Sequence, residues 1–368
     1  MNNLKRLVAL GLVLCMAFAF AACGQKEQEP AQNAANTTTE TKTEETKTEE
    51  TKTEEKPAEK TPEELEQEAW EKEPMYGQTI RYMLSDGCSS AVNIAELLGY
   101  YEDEGLKVEG FKGDSDIEAV GTNTVQVIVG HLAKQVVPAT NGVDLVVVGG
   151  AHFGCKSLYV AADSPYQTLE DLKGKKVSTP NGIGKSDYNI TARLFDADGI
   201  NPLEEVDLVQ VETSACVPAM QKGELDAALL TDLYAYDMVK DGTLRKIRSM
   251  LDEDIDDMCC DISMNGTFVK ENPITATKLA NAVKKASQWM GENPEEAVDL
   301  MLKEGLTAGD RDKNIEYFSS LRCGVSDEEC EKQLRDIVED YLRLGLCTTT
   351  DDADTIMGYL WHPLGSAD

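Results

Sequence analysis

The sequence predicts an α/β protein of two lobes followed by a helical C-terminal part, and three observations carry that expectation. Short β-rich runs alternate with helical patterns from residue 76 onward, the alternation comes in two consecutive sets, and past Asn272 the pattern turns mostly helical. In the first set, strands are expected at 78–85, 106–112, 124–130 and 143–149, with a helix at 92–104. The second, smaller set has strands at 176–179, 206–212 and 225–230 and helices at 186–197 and 217–222. Asn272-Pro273 and Asn293-Pro294 each place a capping residue before a proline whose fixed φ suits the first helical position, starting helices at 273–290 and 294–303. Ser326-Asp327-Glu328-Glu329 caps another, running to about Leu344.

The chain ahead of this core reads as an address and a tether. Lys5 and Arg6 precede an apolar run at residues 7–22 that ends in Phe20-Ala21-Ala22-Cys23-Gly24. That is the form of a lipoprotein export signal, with Phe20 where Leu is usual and Cys23 as the lipid-modified N-terminus of the mature chain. The run is shorter than the roughly 20 residues a spanning helix needs. Residues 23–75 then form an acidic arm in which the pentad Thr-Lys-Thr-Glu-Glu repeats at 41–45, 46–50 and 51–55. The pentads hold no apolar side chain to bury, so nothing offsets the entropy of ordering them. Thr61-Pro62-Glu63-Glu64 has the capping-box form and opens a short helix to about Lys72.

The chain has 35 Lys and Arg against 67 Asp and Glu, a formal charge of −32. So acidic a surface repels phosphate backbones and excludes nucleic acid as a partner. Of ten cysteines, Cys15 lies in the signal and Cys23 at the lipid site, leaving Cys88, Cys155, Cys216, Cys259, Cys260, Cys323, Cys330 and Cys347. An even number permits disulfides, and no C-x-x-C pair supports a zinc ribbon or a thioredoxin-type motif.

The order of segments along the core resembles a known group. Ser89-Ser90-Ala91-Val92-Asn93-Ile94-Ala95-Glu96-Leu97-Leu98-Gly99-Tyr100-Tyr101 leads to Glu104-Gly105-Leu106-Lys107-Val108, and Leu169-Glu170-Asp171-Leu172-Lys173-Gly174-Lys175-Lys176-Val177 follows. Then come Ala219-Met220-Gln221-Lys222-Gly223-Glu224-Leu225-Asp226-Ala227-Ala228 and Phe268-Val269-Lys270-Glu271-Asn272-Pro273. This succession is similar to that of periplasmic binding proteins for nitrate, sulfonates, taurine and the thiamine pyrimidine. The resemblance implies a type II-like two-lobe binding protein, with lobe 1 at 76–162 plus 258–368, lobe 2 at 163–257, and crossings near 160–168 and 252–262. It implies a monomeric, lipid-anchored substrate-binding component of an ABC importer on the outer face of the cell membrane, serving a permease and an ATPase. A small anionic or aromatic ligand of the sulfonate, nitrate or pyrimidine type would be captured, without cofactor or catalysis. Enzymes of this fold that make the thiamine pyrimidine carry a cysteine cluster in the same context. Here only Cys259-Cys260 remains, followed by Asp261, and the enzymatic reading is not favoured.

Ligands of open α/β sheets lie beyond the carboxyl ends of strands. That rule selects Ser85, Gly87, Cys88, Ser89, Ser90, His131, Cys155, Asn181, Gly182, Gly184, Lys185, Ser186, Ser214, Cys216 and Asp232 as ligand-binding candidates. The segment at 180–186 opens a helix after a strand, so free N–H groups and Lys185 would suit an anion; the same glycines also suit a plain tight turn. Cys88, Cys155 and Cys216, with His131 as a nitrogen donor, form an alternative soft-metal set. Apolar core filling and disulfides remain open for these thiols. Side chains alternate along a strand, so only one of Cys259 and Cys260 is expected to face the cleft. Cys323 and Cys330 are expected to pair locally, and His152 and His362 to be structural.

Overall fold

The computed structural model describes residues 60–365. Eleven strands build two sheets: β1 (Thr79–Met83), β2 (Lys107–Phe111), β3 (Val127–His131), β4 (Val146–Phe153), β5 (Lys156–Ala161), β6 (Lys176–Ser178), β7 (Asp207–Val209), β8 (Ala227–Thr231), β9 (Leu244–Ser249), β10 (Met258–Met264) and β11 (Arg322–Cys323). The first sheet has the order β11-β4-β10-β3-β1-β2 and the second β7-β6-β8-β5-β9. β1 to β3 pair in parallel, as strands joined by crossover helices must, and β10 returns antiparallel between β3 and β4.

The expected strands appear near their places, and the ones missed are β5, β9, β10 and the two-residue β11. β5 and β10 are buried at every residue, so they lack the alternation that marks a half-exposed strand. This moves the crossings. Because β5 pairs with β8 and β9, the chain first passes between sheets at Gly154-Cys155, not at 160–168. The return lies at residues 250–257, between β9 and β10, so Cys259 and Cys260 stand inside lobe 1.

The helix expected at 92–104 is two, Ala91–Leu97 and Tyr100–Asp103, interrupted at Gly99, whose φ of 77° belongs to the left-handed region. Helix starts were the most dependable signal: Pro273–Glu292, Pro294–Glu304 and Asp327–Leu344 begin where expected, although only Ser326 caps through its side chain, Asn272 and Asn293 turning their amides back to Phe268 O and Trp289 O. The arm ends in the helix Pro62–Trp70, whose box is formed by Thr61 and Glu64. Its last residue is docked on lobe 1: Trp70 is buried and donates its indole N–H to Thr275 at 2.9 Å, and Glu73 accepts from the N–H groups of Ile274 and Thr275. The folded part therefore begins about 15 residues before the expected boundary at 76. The export signal, Cys23 and the pentad repeats lie outside the described residues. No helix of the described residues is long and apolar enough to cross a membrane.

Candidate functional site

Parallel strands deliver their C-termini to one edge of the sheet, and an antiparallel neighbour delivers its N-terminus there. β3 ends in His131, β4 ends at His152-Phe153, and β10 begins Met258-Cys259-Cys260, with Cys260 in register with both His131 and His152. Past β1, the short 3-10 turn Gly87–Ser89 brings in Cys88. Past β4, Cys155 sits on the crossing with a φ of 103°, a conformation that costs any residue with a Cβ. The result is four thiols and two imidazoles in one buried cluster. Cys259 Sγ lies 2.6 Å from Cys155 Sγ and 3.1 Å from His131 Nδ1. Cys260 Sγ lies 3.9 Å from both Cys259 Sγ and His131 Nδ1, and 3.6 Å from Ser89 Oγ.

Both members of the Cys259-Cys260 pair reach the cluster, against the strand rule. The register of β10 on β4 slips between Met258 and Cys260 and again between Cys260 and Asp261. A bulge of this kind turns neighbouring side chains toward one side.

Charge within the cluster is divided. Burial pushes the Cys155 thiol up, but hydrogen bonds from Cys259 and Cys88 and the charges of His131 and His152 outweigh it and hold Cys155 well below the usual thiol range. Hydrogen bonds from Cys259 and Cys88 do the same for Cys260. Cys88, through its bonds to Cys155 and Cys260, and Cys259, through burial, are pushed well up and remain protonated. Burial alone would depress the His152 imidazole, yet the neighbouring Cys260 sulfur lifts it to about 9. The lowered thiols of Cys155 and Cys260 thus sit among two raised thiols, two imidazoles and the buried Lys156, which also pairs with Asp187 at 2.7 Å.

Above this floor opens a cleft of about 760 Å³ with walls from both lobes: Asp114, Asp116, His131 and Lys134 on one side, Asn181 and Lys185 on the other. A smaller recess of about 310 Å³ continues from it past Ser85, Asp86 and Ser89. His131 lines both spaces and touches Cys259, so it connects cavity and thiols.

Residues 89–297 match the family described as NMT1/THI5 like. The chain belongs to this family. Among proteins it resembles is one described as a binding protein in Brucella abortus (strain 2308), 23% identical over 261 residues and covering 67% of this chain and 76% of that one. In structure it is similar to the periplasmic aliphatic sulphonate binding protein of Escherichia coli, with a TM-score of 0.62 and 18% identity over 78% of this chain and 93% of that one. It is likewise similar to the periplasmic nitrate-binding protein of Synechocystis PCC 6803, with a TM-score of 0.60 and 15% identity over 77% and 85%. These likenesses establish the two-lobe periplasmic-binding-protein fold.

For this NMT1/THI5-like chain the candidates divide. His131, Asn181, Gly184, Lys185 and Ser186 line the cleft, while Ser85 and Ser89 line the recess beside it. Gly87 turns the chain toward Cys88 at a φ of 56°, Gly182 packs on Gln210, and Ser90 is buried behind the turn. Three candidates separate from the rest. Cys216 lies in an apolar cluster of lobe 2, its sulfur against Ser178 and the carbonyls of Val211 and Glu212, and does not join Cys88 and Cys155. The reason is that the helix Thr213–Gln221 turns its inner face to the second sheet. Ser214 is exposed on that helix, outside the cleft lining. The Asp232 carboxylate accepts from Tyr159 and pairs with Lys246 at a different recess.

The loop at 180–186 uses three of its backbone donors locally. Asn181 N–H donates to Asp187 at 3.1 Å, Gly182 N–H to Thr179 O at 2.8 Å, and Lys185 N–H to Gly182 O at 3.2 Å. Cys323 and Cys330 are both free and pack in different clusters, so their expected pairing does not occur. His152, expected to be structural, stands at the centre of the thiols; the spacing His152-Phe153-Gly154-Cys155 across a strand end was the available signal.

Proposed function

We propose that this chain is the ligand-capturing component of an ABC importer, working outside the cytoplasmic membrane and closing its lobes on a small polar ligand. The observation that carries this reading is the cleft of about 760 Å³ walled by both lobes, with the chain passing between the sheets only at two crossings. Two crossings leave a hinge as the natural motion. The relatives named for sulfonate and nitrate support a small ligand, a permease and an ATPase as partners. A lipid on Cys23 would keep the monomer at the membrane, and no step of this function calls for catalysis.

The walls refine the ligand. Lys185 gives one positive group, whereas Asp114, Asp116, Glu118 and Asp144 make the opposite wall acidic and Asp116 already holds Lys134 at 2.5 Å. A ligand with an anionic end at the 181–186 loop and a cationic or hydrogen-bonding end at the acidic wall suits this distribution better than a bare anion.

Native mass spectrometry of tag-free protein is expected to show an organic adduct that unfolding releases, and solution scattering should show expansion once it is gone. A chain with no such adduct and unchanged dimensions after refolding would argue against ligand capture. With ethanesulfonate as probe, Lys185→Glu is expected to weaken binding more than tenfold, since a reversed charge beside a bound anion costs at least about 1.4 kcal/mol. Equal affinity removes Lys185 from the site.

A further inference from the structure

The cleft uses only His131 of the six thiol and imidazole groups at its floor. The remainder have no part in holding an organic ligand, and their arrangement is that of a donor set. Ligand atoms of Cys88, His152 and Cys260 all lie within 4.8 Å of one another, and so do those of His131, Cys259 and Cys260. In the second set the separations are 3.1, 3.9 and 3.9 Å. A point equidistant from the three atoms lies roughly 2.1 Å from each, against about 2.0–2.1 Å for a zinc–nitrogen bond and about 2.3 Å for a zinc–sulfur bond.

An independent observation points the same way. His152 is 1% exposed, its Nδ1 faces the carbonyl of Phe153 at 3.3 Å, and its Nε2 has no hydrogen-bond partner. A carbonyl that fixes one ring nitrogen is the arrangement in which imidazoles ligate metals, the cation displacing the proton that the other nitrogen holds beside the Cys260 sulfur. Core filling accounts for none of this. Cys330, which fills a core, lies in an ordinary helix among apolar neighbours, whereas the cluster requires a left-handed φ at Cys155 and a bulge at Cys259-Cys260. Asp261, the nearest carboxylate along the strand, is taken up by Gln135 and Ser263. Sulfur and imidazole without carboxylate select a thiophilic cation over calcium or magnesium.

We propose that this cluster binds one thiophilic cation of the zinc or copper(I) class, seated where the two crossings meet, with Cys260 as the ligand common to both sets and its companions drawn from His131 and Cys259 or from Cys88 and His152. Cys155 on the first crossing touches Cys259 at 2.6 Å, so the site lies against the part of the chain that must bend when the lobes open. The proposal stands apart from organic-ligand capture and does not need it.

The test uses tag-free protein, reduced and stripped of metal. Cobalt(II) is expected to give thiolate-to-metal absorption saturating at one equivalent per chain, in the wild type and in Cys216→Ser alike, and zinc is expected to displace it. Cys260→Ser, which removes the ligand shared by both sets, is expected to weaken zinc binding at least 100-fold, and His152→Gln at least tenfold. A reduced wild type without this absorption overturns the proposal, as does a Cys260→Ser variant that binds zinc like the wild type. Should Cys260→Ser fail to fold by circular dichroism, iodoacetamide footprinting of the wild type decides. Zinc is expected to shield the half-buried Cys88, and labelling of Cys88 that is equal with and without zinc overturns the site. Loss of the organic adduct with metal binding intact, or the reverse, tells the two readings apart.

Discussion

At the hinge, lobe 2 is held to lobe 1 by buried charge, whereas at the opposite side of the molecule the lobes meet through exposed charge. Arg193, on the helix Ser186–Ala197, bonds Asp257 and Asp340 with side chains 14%, 4% and 25% exposed, and Asn189 donates to the carbonyl of Ala133 at 2.8 Å. On the other side, Lys240 and Tyr236 meet Glu316, the Lys240–Glu316 pair being 60% and 58% exposed. The two latches differ in burial rather than in kind. Water competes fully for the second latch and only in part for the first, where Asp257 is nearly inaccessible, so the first should fix the closed arrangement while the second tunes it.

Breaking the buried latch should have the largest effect. Arg193→Met leaves Asp257 nearly inaccessible and without its counter-charge, for an expected loss of about 3–5 kcal/mol in urea unfolding. A loss under about 1 kcal/mol would place the two latches on a par and end the contrast.

A smaller effect is expected from the helix that supplies Asp340. Asp327–Leu344 begins with Ser326 accepting from Glu329 N–H while the Glu329 carboxylate accepts from Ser326. Ser326→Ala should cost about 1 kcal/mol at pH 7. Burial raises the Glu329 carboxyl, but hydrogen bonds from Ser326 and the charge of Arg322 outweigh it and hold the pKa below the ordinary value. A depressed carboxyl stabilises the fold above its unfolded pKa of about 4.3, and the contribution is lost as pH falls through the folded value. The cost of Glu329→Gln should therefore shrink between pH 5 and pH 3; a pH-independent cost would assign it to packing.

The exposed latch should yield the least. Lys240→Ala is expected to lower the urea midpoint slightly in low salt and not measurably in 1 M salt. A salt-insensitive loss would mean that the latch is better shielded than its exposure indicates.

Cysteine gives the same lesson within one residue type. Cys216 and Cys155 both follow strands near the cleft in sequence, yet one fills the core of lobe 2 and the other joins three thiols and two imidazoles. Cys155 lies on a connection as expected, whereas Cys216 lies within the helix Thr213–Gln221, and the direction of neither was readable in the chain. The face a helix turns inward and the place where a ladder slips depend on partners distant in sequence.

The two sets of α/β units, the capped helices from Asn272 onward and the ordering that marks the family were legible because each rests on local chemistry. A proline fixes φ, an Asn or Ser satisfies a free N–H, and alternation reports a half-buried strand. The Asn181–Ser186 side of the cleft was legible for the same reason, as a turn at the start of a helix. What only the tertiary structure decided is where the chain changes sheets and which groups then meet. β5 and β10 are buried on both faces and carry no alternation to announce them, so the crossing at Gly154-Cys155 was invisible in the chain. His152 and Cys260 lie 108 positions apart and become neighbours only through the antiparallel register of β10 on β4. That register is set by the sum of pairings along both strands, a property no window of sequence contains.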